Sequence, residues 1–156
     1  MSTMTYVREI DPKISAEDIK NYFRQHRGPY ISIFETGING LRFDLIRITP
    51  WKRYIQIFEF KSGRADFKKD KKWPSYLMYC HTLTFVCPLN AINPEEIPKG
   101  IGLMYIWKWR WPDATRWNYD SKWMRKPRKR DVSTAILTDL AFTLLYRVIW
   151  RKEDIF

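Results

Sequence analysis

Two acidic residues and a lysine lie at the ends of two neighbouring segments in which polar and apolar side chains alternate. Asp44 lies in residues 41–48, and Glu59 and Lys61 lie in residues 53–61. Side chains of a β-strand alternate between its two faces, so Glu59 and Lys61 project together while the residue between them points away. If the segments form a hairpin, Asp44 reaches Glu59. Two carboxylates and an ammonium group then lie close together. This is the arrangement that binds a divalent cation and activates an attacking water, so we predict a metal-dependent nuclease.

The other side chains of these segments predict a sheet that is covered on both faces. Ile46 and Ile48 share the face of Asp44, and the opposite face carries Phe43, Leu45, Phe58 and Phe60. Strands that are apolar on both faces are typical of sheets flanked by helices. The alternative is that Glu59 and Lys61 are only an exposed pair at a strand end. The triplet alone favours that alternative, and the aspartate on the preceding strand favours the metal site.

The sequence around these residues resembles the PD-(D/E)XK (restriction-endonuclease-like) nuclease superfamily. The resemblance rests on FD at 43–44 and FEFKS at 58–62. A longer stretch is similar to a narrower branch, a bacterial DNA-repair family associated with mitomycin C resistance. That similarity covers residues 59–67, Asp70, residues 72–74, Tyr76 and residues 97–103. Two positions depart from the pattern, because Phe43 replaces a proline and His81 stands where that branch has an acidic residue.

The resemblance implies a role for each residue of the site. Asp44 and Glu59 would ligate Mg²⁺, with Mn²⁺ as a substitute, and the main-chain carbonyl of Phe60 would add a third oxygen. Hard oxygen ligands of this kind suit Mg²⁺, which takes one or two carboxylates from protein. Lys61 would position the attacking water and stabilise the negative charge of the transition state.

Four further residues are candidates for accessory roles. The superfamily commonly has a third carboxylate, for which the sequence offers Glu17 and Glu35. Glu35 is favoured because its strand would pair with that of Asp44, whereas Glu17 is explained by the N-terminus of a helix. Lys72 and Tyr76 are four residues apart and would share a helical face close to the scissile phosphate. An ordinary solvated helix explains them equally well.

Composition limits the classes of protein to which the chain can belong. Its 156 residues are enough for one domain with a real core, so we predict a single nuclease-like domain over 1–156. A net charge of +11 predicts a polyanionic partner, usually nucleic acid. There is no apolar segment of about 18 residues and no signal-peptide core, so we expect a cytoplasmic protein without a membrane partner. Cys80 and Cys87 are expected to be buried, reduced thiols.

The elements that would position the site form an α/β fold. We predict a restriction-endonuclease-like core, with a mixed β-sheet of about five strands flanked by helices and an added C-terminal helix. Ser15 would cap the first helix and Ser133 the last one, which is expected over residues 133–150. The strands are predicted near residues 30–35, 41–48, 53–61, 82–88 and 101–107, and a helical region interrupted by Pro74 is predicted over residues 64–81.

A basic, tryptophan-rich segment occupies residues 107–130. It alternates Trp107, Lys108, Trp109, Arg110 and Trp111, so at least the first two tryptophans are expected to be structural. Basic side chains neutralise phosphates, and exposed indoles stack on unpaired bases. The predicted DNA contacts are Lys108, Arg110, Arg116, Lys122, Arg125, Lys126, Arg128, Lys129 and Arg130.

Three classes of function agree with these features. The first is a Mg²⁺-dependent deoxyribonuclease acting in repair, recombination or mobile-element metabolism, with DNA as its partner. The sequence leaves its oligomeric state open, and the two active sites of a homodimer would suit cutting of both strands or of a junction. The second is a catalytically inactive, nuclease-like DNA-binding module. The third is an interaction protein within a nucleoprotein complex. The presence of Asp44, Glu59 and Lys61 together favours the first class.

Overall fold

A seven-stranded mixed β-sheet forms the centre of the protein, as a computed structural model shows for residues 6–151. The sheet order is β1-β6-β5-β4-β3-β2, with β7 on the free edge of β6. Strands β4, β5 and β6 are parallel, and the other pairs are antiparallel. The strands are β1 (Glu9–Asp11), β2 (Ile31–Thr36), β3 (Phe43–Thr49), β4 (Tyr54–Phe60), β5 (Thr82–Pro88), β6 (Gly102–Arg110) and β7 (Asn118–Arg125).

The predicted hairpin is confirmed by β3 and β4. A 3₁₀ turn, Pro50–Lys52, joins them, and Arg53 completes the reversal with a φ of +49°. Leu45 lies opposite Phe58 and Ile46 lies opposite Ile57, a register that brings Asp44 beside Glu59. The alternation of side chains along the two strands therefore predicted correctly both the pairing of the strands and the shared face of the two acidic residues.

Helices cover both faces of the sheet, as predicted. Helix α1 (Ala16–Gln25) packs Ile19 and Phe23 against one face. Helices α2 (Arg64–Lys69) and α3 (Thr134–Arg151), with the 3₁₀ segment Trp73–Tyr79, cover the other face. The face of Glu59 lies beneath this second layer. Phe43, predicted on the opposite face, also packs there, because its ring contacts Tyr76 and Tyr79.

The prediction of about five strands is wrong, because β1 and β7 were not anticipated. Strand β1 has only three residues, and β7 carries polar side chains on both faces, so neither shows the apolar alternation of a buried strand. The fifth predicted strand also continues to Arg110 rather than ending at 107. Its last residues pair with β1 and β7 instead of with the central sheet.

The helical region predicted over 64–81, with an interruption at Pro74, consists of two separate pieces. Helix α2 ends at Lys69, and the next segment is 3₁₀. The Asp70 carboxylate accepts the main-chain N–H groups of Lys72 and Trp73 at 2.8 and 3.2 Å, which stabilises a turn between the two helical pieces. Pro74 then lies in the first turn of the second piece, where proline is tolerated.

Helix α3 begins where predicted, since Ser133 Oγ accepts the N–H of Ile136 at 3.2 Å. Leu140 and Leu144 are buried, whereas Leu145 is exposed. It belongs to a second apolar stripe on the outer side of the helix, with Phe142, Tyr146, Ile149 and Trp150. No helix in residues 6–151 is long and apolar enough to cross a membrane. The ends of the predicted domain, 1–5 and 152–156, lie outside the described residues.

Candidate active site

The predicted catalytic and accessory residues line one groove at the carboxyl end of β4, with a volume of about 520 Å³. The groove brings together residues from β2, β3, β4, α2 and the start of the 3₁₀ segment. Those predicted from sequence are Glu35, Asp44, Glu59, Phe60, Lys61, Lys72 and Tyr76, and those that were not predicted are Arg42, Asp66, Lys69 and Asp70.

The carboxylates of Asp44 and Glu59 each accept a main-chain N–H group from the opposite strand of the hairpin. The N–H of Phe60 donates to Asp44 Oδ2 at 2.7 Å, and the N–H of Asp44 donates to Glu59 Oε1 at 3.2 Å. These donors lie just beyond the last paired residues of the hairpin, so the strand ends themselves orient both carboxylates. The two acidic side chains therefore converge without a third element.

Burial makes this pair electrostatically unusual. Burial first, and then the negative charge of Asp44, raise the pKa of Glu59 to about 9. Burial also raises the pKa of Asp44. Two buried carboxylates do not both ionise easily in a shared site unless a cation neutralises them. The pair therefore holds a proton at neutral pH when no cation is bound.

The donor set fits Mg²⁺ in its chemistry. Asp44, Glu59 and the carbonyl of Phe60 offer hard oxygen atoms, and Mg²⁺ needs only one or two carboxylates because it keeps several waters. In the described part of the chain, no group of three or more His, Cys, Asp and Glu side chains is arranged around one point.

Lys61 reaches the groove as an ion pair. Its Nζ lies 2.6 Å from Asp70 Oδ2, and both side chains are about nine-tenths buried. Although burial opposes ionisation of Asp70, the hydrogen bond from Lys61 and the two main-chain N–H donors lower its pKa. Asp70 thus fixes the ammonium group beside the two carboxylates. The nine-residue separation of Lys61 and Asp70 in the sequence does not predict this contact, because the contact depends on the turn that ends α2.

The predicted accessory residues lie at the groove in different environments. Tyr76 is buried, and burial followed by the charge of Glu59 raises its pKa to about 12, so its hydroxyl stays protonated. Lys72 also lines the groove, although it precedes a 3₁₀ segment and does not share an α-helical face with Tyr76. Glu35 is half-exposed and forms ion pairs with Lys20 and Arg42, at 3.4 and 3.1 Å.

Glu17, the alternative to Glu35, lies outside the groove. It occupies the first turn of α1 and forms an ion pair with Arg24 at 2.8 Å, on the opposite face of the sheet. His81 is structural, since its Nδ1 accepts the N–H of Ile55 at 3.0 Å and its ring stacks on Tyr54. Cys80 and Cys87 are buried and free, as predicted.

The first half of the predicted DNA-contact segment extends past the groove. Beyond Ile106, which pairs with β5, strand β6 pairs only with β1 and β7. Met104 lies beside Phe60 across the sheet, because both residues pair with Val86 of β5. Arg110 is six positions further along β6, so this strand extends roughly 20 Å beyond the end of β4. Lys108 lies 3.7 Å from Asp18 and Arg110 lies 2.9 Å from Glu9, so both cations have intramolecular partners. Arg116 and Lys122 are exposed.

The second half of that segment lies at the opposite end of the sheet. The N–H of Arg128 donates to the carbonyl of Gly100, and the N–H of Arg130 donates to the carbonyl of His81, at 2.9 and 2.7 Å. Those carbonyls immediately precede β6 and β5, whose carboxyl ends point towards the groove. Arg125 donates to the carbonyl of Ile97 at 2.5 Å, while the side chains of Lys126, Arg128, Lys129 and Arg130 are exposed.

The fold and the groove define an α/β protein with a paired-carboxylate and lysine site at the edge of a mixed sheet. Residues 15–142 match the family described as DNA repair protein MmcB-like. The chain therefore belongs to the MmcB-like DNA repair protein family. This confirms the DNA-repair branch of the resemblance, whereas membership of the PD-(D/E)XK superfamily stays a prediction.

A solved structure shows the same overall fold. It is the SPO1766 protein of unknown function from Silicibacter pomeroyi, which superimposes with a TM-score of 0.66 and 25% sequence identity. The similarity covers 92% of this chain and 90% of that one. No curated protein matched the sequence.

Proposed function

We propose that this protein is a metal-dependent deoxyribonuclease that hydrolyses phosphodiester bonds during DNA repair. Membership of the family supports the DNA-repair role and the DNA partner. The observation that carries the proposal is the convergence of Asp44, Glu59 and Lys61 on one groove at a sheet edge. Carboxylates in a groove whose pKa is strongly raised by burial and by a second carboxylate are candidates for a functional site.

The residues of the groove have complementary roles in this proposal. Mg²⁺ bound by Asp44, Glu59 and the Phe60 carbonyl would supply Lewis acidity at the scissile phosphate. Lys61, fixed by Asp70, contributes positive charge where negative charge builds up. Tyr76 offers a protonated hydroxyl as a hydrogen-bond donor. Lys69 and Lys72 at the rim attract the phosphate backbone.

A second candidate is a DNA-binding member of the family that does not cleave. The 2.6 Å contact between Lys61 and Asp70 supports it, because that contact uses the ammonium group that hydrolysis requires. The two candidates differ in one respect that can be measured. A nuclease needs Asp44 and Glu59 for turnover, whereas a binding module keeps its DNA affinity and shows no metal-dependent cutting.

The outer stripe of α3 supports the proposal of a homodimer. Phe142, Leu145, Tyr146 and Ile149 recur every three or four residues, so they form one continuous apolar face. A second copy offers the same face, and antiparallel pairing places the helix dipoles head to tail. Light scattering should give twice the chain mass for the wild type and the monomer mass for Leu145→Glu. A monomeric wild type at micromolar concentration would contradict the dimer.

The cleavage proposal is tested with end-labelled duplex, flap, junction and single-stranded DNA in Mg²⁺, Mn²⁺ or EDTA. We expect cutting that requires the metal and is selective for the structure of the DNA rather than its sequence. Asp44→Ala should abolish it, and Glu17→Ala, outside the groove, should not. Metal-dependent cutting that Asp44→Ala retains would contradict the site.

A further inference from the structure

A second groove, of about 720 Å³, lies at the amino end of β4. It opens on the face of the sheet that α1 covers. Gln56 lines the groove and lies two residues before Phe58 on β4, so both side chains project from the same face, where Phe58 packs with α1. It is therefore separated from the candidate active site by both the length and the thickness of the sheet. Three aromatic side chains and two lysines line it, namely Tyr30, Trp51, Tyr54, Lys52 and Lys129.

Trp51 gives this groove an accessible aromatic surface. It lies in the 3₁₀ turn between β3 and β4, with 64% of its surface exposed. Pro50 and the left-handed backbone of Arg53 define the backbone of the turn that carries this side chain. An exposed indole offers a stacking surface for a planar ligand.

The charge of the groove is entirely positive. No carboxylate lines it, in contrast to the candidate active site with its five acidic residues. Lys52 and Lys129 form no ion pair within the described residues, and Lys129 Nζ lies 5.8 Å from the centre of the Tyr54 ring. Exposed, unpaired cations around aromatic rings suit a ligand that has both negative charge and π surface.

Arg47 adds an unneutralised cation behind the groove wall. Its guanidinium lies 4.7 Å from the centre of the Tyr30 ring, and Nη2 donates a long hydrogen bond to the carbonyl of His26, at 3.5 Å. Its buried Nε has no acceptor among the described residues, and no carboxylate pairs with it there. A partly buried guanidinium without a carboxylate partner makes the adjacent groove more attractive to an anion.

We propose that this groove binds single-stranded DNA, with a base stacked on Trp51 and the phosphates beside Lys52 and Lys129. An unpaired strand fits better than a duplex, because duplex bases are already stacked and cannot reach the indole. Gln56 and Tyr30 also line the groove and can form hydrogen bonds with the edge of a base. Stacking on an indole accepts any base, so we expect no strict sequence preference. The inference goes beyond the cleavage proposal and does not depend on turnover.

The first test is fluorescence anisotropy in EDTA, with a labelled twelve-nucleotide poly-dT strand and a duplex of the same length. Trp51→Ala should weaken single-strand binding roughly 5- to 150-fold, the range found for loss of one stacking contact, and change duplex binding much less. The control is Tyr6→Ala, because Tyr6 is an exposed aromatic residue (65%) ahead of β1, outside the α3 stripe, and lines neither groove. It should bind as the wild type does.

The second test separates the groove from general positive charge. Lys52→Gln with Lys129→Gln should reduce the slope of log affinity against log salt by about 1.4 for the single strand. Lys13→Gln with Lys71→Gln removes the same charge at exposed positions outside both grooves and should leave the slope close to that of the wild type. Thermal unfolding of each variant checks that it is folded.

Unchanged single-strand affinity in Trp51→Ala would overturn the inference, and so would an equal loss of single-strand and duplex affinity. Failure of the cleavage proposal is recognised separately. If the wild type never cuts DNA with any metal but Trp51→Ala still loses single-strand binding, the groove assignment stands and the nuclease assignment falls.

Discussion

Glu59 determines how the metal-free protein responds to pH. Because its pKa rises to about 9 on folding, the native state binds a proton that the unfolded chain, with a glutamate pKa near 4.5, releases. The stabilisation that this proton contributes is fully present below pH 4.5, the pKa of the glutamate in the unfolded chain. It is lost as the pH rises towards about 9, the pKa of Glu59 in the folded protein. In the proposed nuclease, a bound divalent cation would remove this cost by neutralising the ionised pair.

Glu59→Gln should therefore flatten the pH dependence of stability in EDTA. The wild type is expected to lose melting temperature between about pH 5 and pH 9, and the variant, which keeps a neutral side chain there, should lose less. Even 1 kcal/mol corresponds to about 2–4 °C for a chain of this size. Melting curves at five pH values check this, and parallel curves for the two proteins would show that Glu59 is ionised throughout.

Lys61 and Asp70 form a buried pair whose members depend on each other. Asp70→Asn should destabilise the protein by about 3 kcal/mol, because it leaves the Lys61 ammonium buried without its counter-charge. Adding Lys61→Met should restore much of that loss. Urea denaturation of the wild type, both single variants and the double variant measures the coupling. Additive losses would contradict a direct interaction.

Among the helices and strands, the elements that could be predicted are those in which polar and apolar residues alternate regularly. Strands β3 and β4 alternate regularly, so their hairpin and the meeting of Asp44 with Glu59 followed from the pattern. Strand β7 has no apolar alternation because it lies at the edge of the sheet and is half-exposed. The contact of Asp70 with Lys61 depends on where α2 stops, and a run of helix-compatible residues does not specify that point.

The capping box of α1 should contribute to stability but not to cleavage. Ser15 Oγ accepts the N–H of Asp18 at 3.1 Å, and Asp18 Oδ2 accepts the N–H of Ser15 at 2.8 Å. Ser15→Ala is expected to cost about 1 kcal/mol. Chemical denaturation measures this, with Thr115→Ala in an exposed loop as the control. Cleavage should stay at the wild-type level, since α1 covers the face opposite the groove.

At the scale of the whole molecule, the sheet separates two kinds of surface. Acidic residues collect at the carboxyl ends of the parallel strands, where the candidate active site lies. Exposed cations collect at the amino ends, where Arg128 and Arg130 are bound through their main chain to the loops before β6 and β5. With a net charge of +11, the protein should be attracted to DNA over a large part of its surface.

The basic end of the sheet should determine how binding depends on salt. Replacing Arg128, Lys129 and Arg130 by Gln is expected to weaken duplex binding and to reduce the salt slope by up to about 2.7, if all three contact phosphates. Lys13→Gln, Lys68→Gln and Lys71→Gln together form the control of equal charge. Anisotropy titrations from low to moderate salt measure both slopes. Equal slopes in the two triple variants would show that this end of the sheet is not a DNA-contact surface.

Cleavage at this groove is tested most sharply by comparing the wild type with Glu59→Ala on the best-cut DNA substrate, under single turnover in Mg²⁺ and in EDTA. The variant is expected to lose cleavage at least a thousandfold, at about 1.4 kcal/mol for each factor of ten. Its DNA affinity should be unchanged or tighter, because a carboxylate has been removed from the groove. Cleavage by Glu59→Ala at the wild-type rate, or no metal-dependent cleavage by the wild type, would contradict the cleavage proposal.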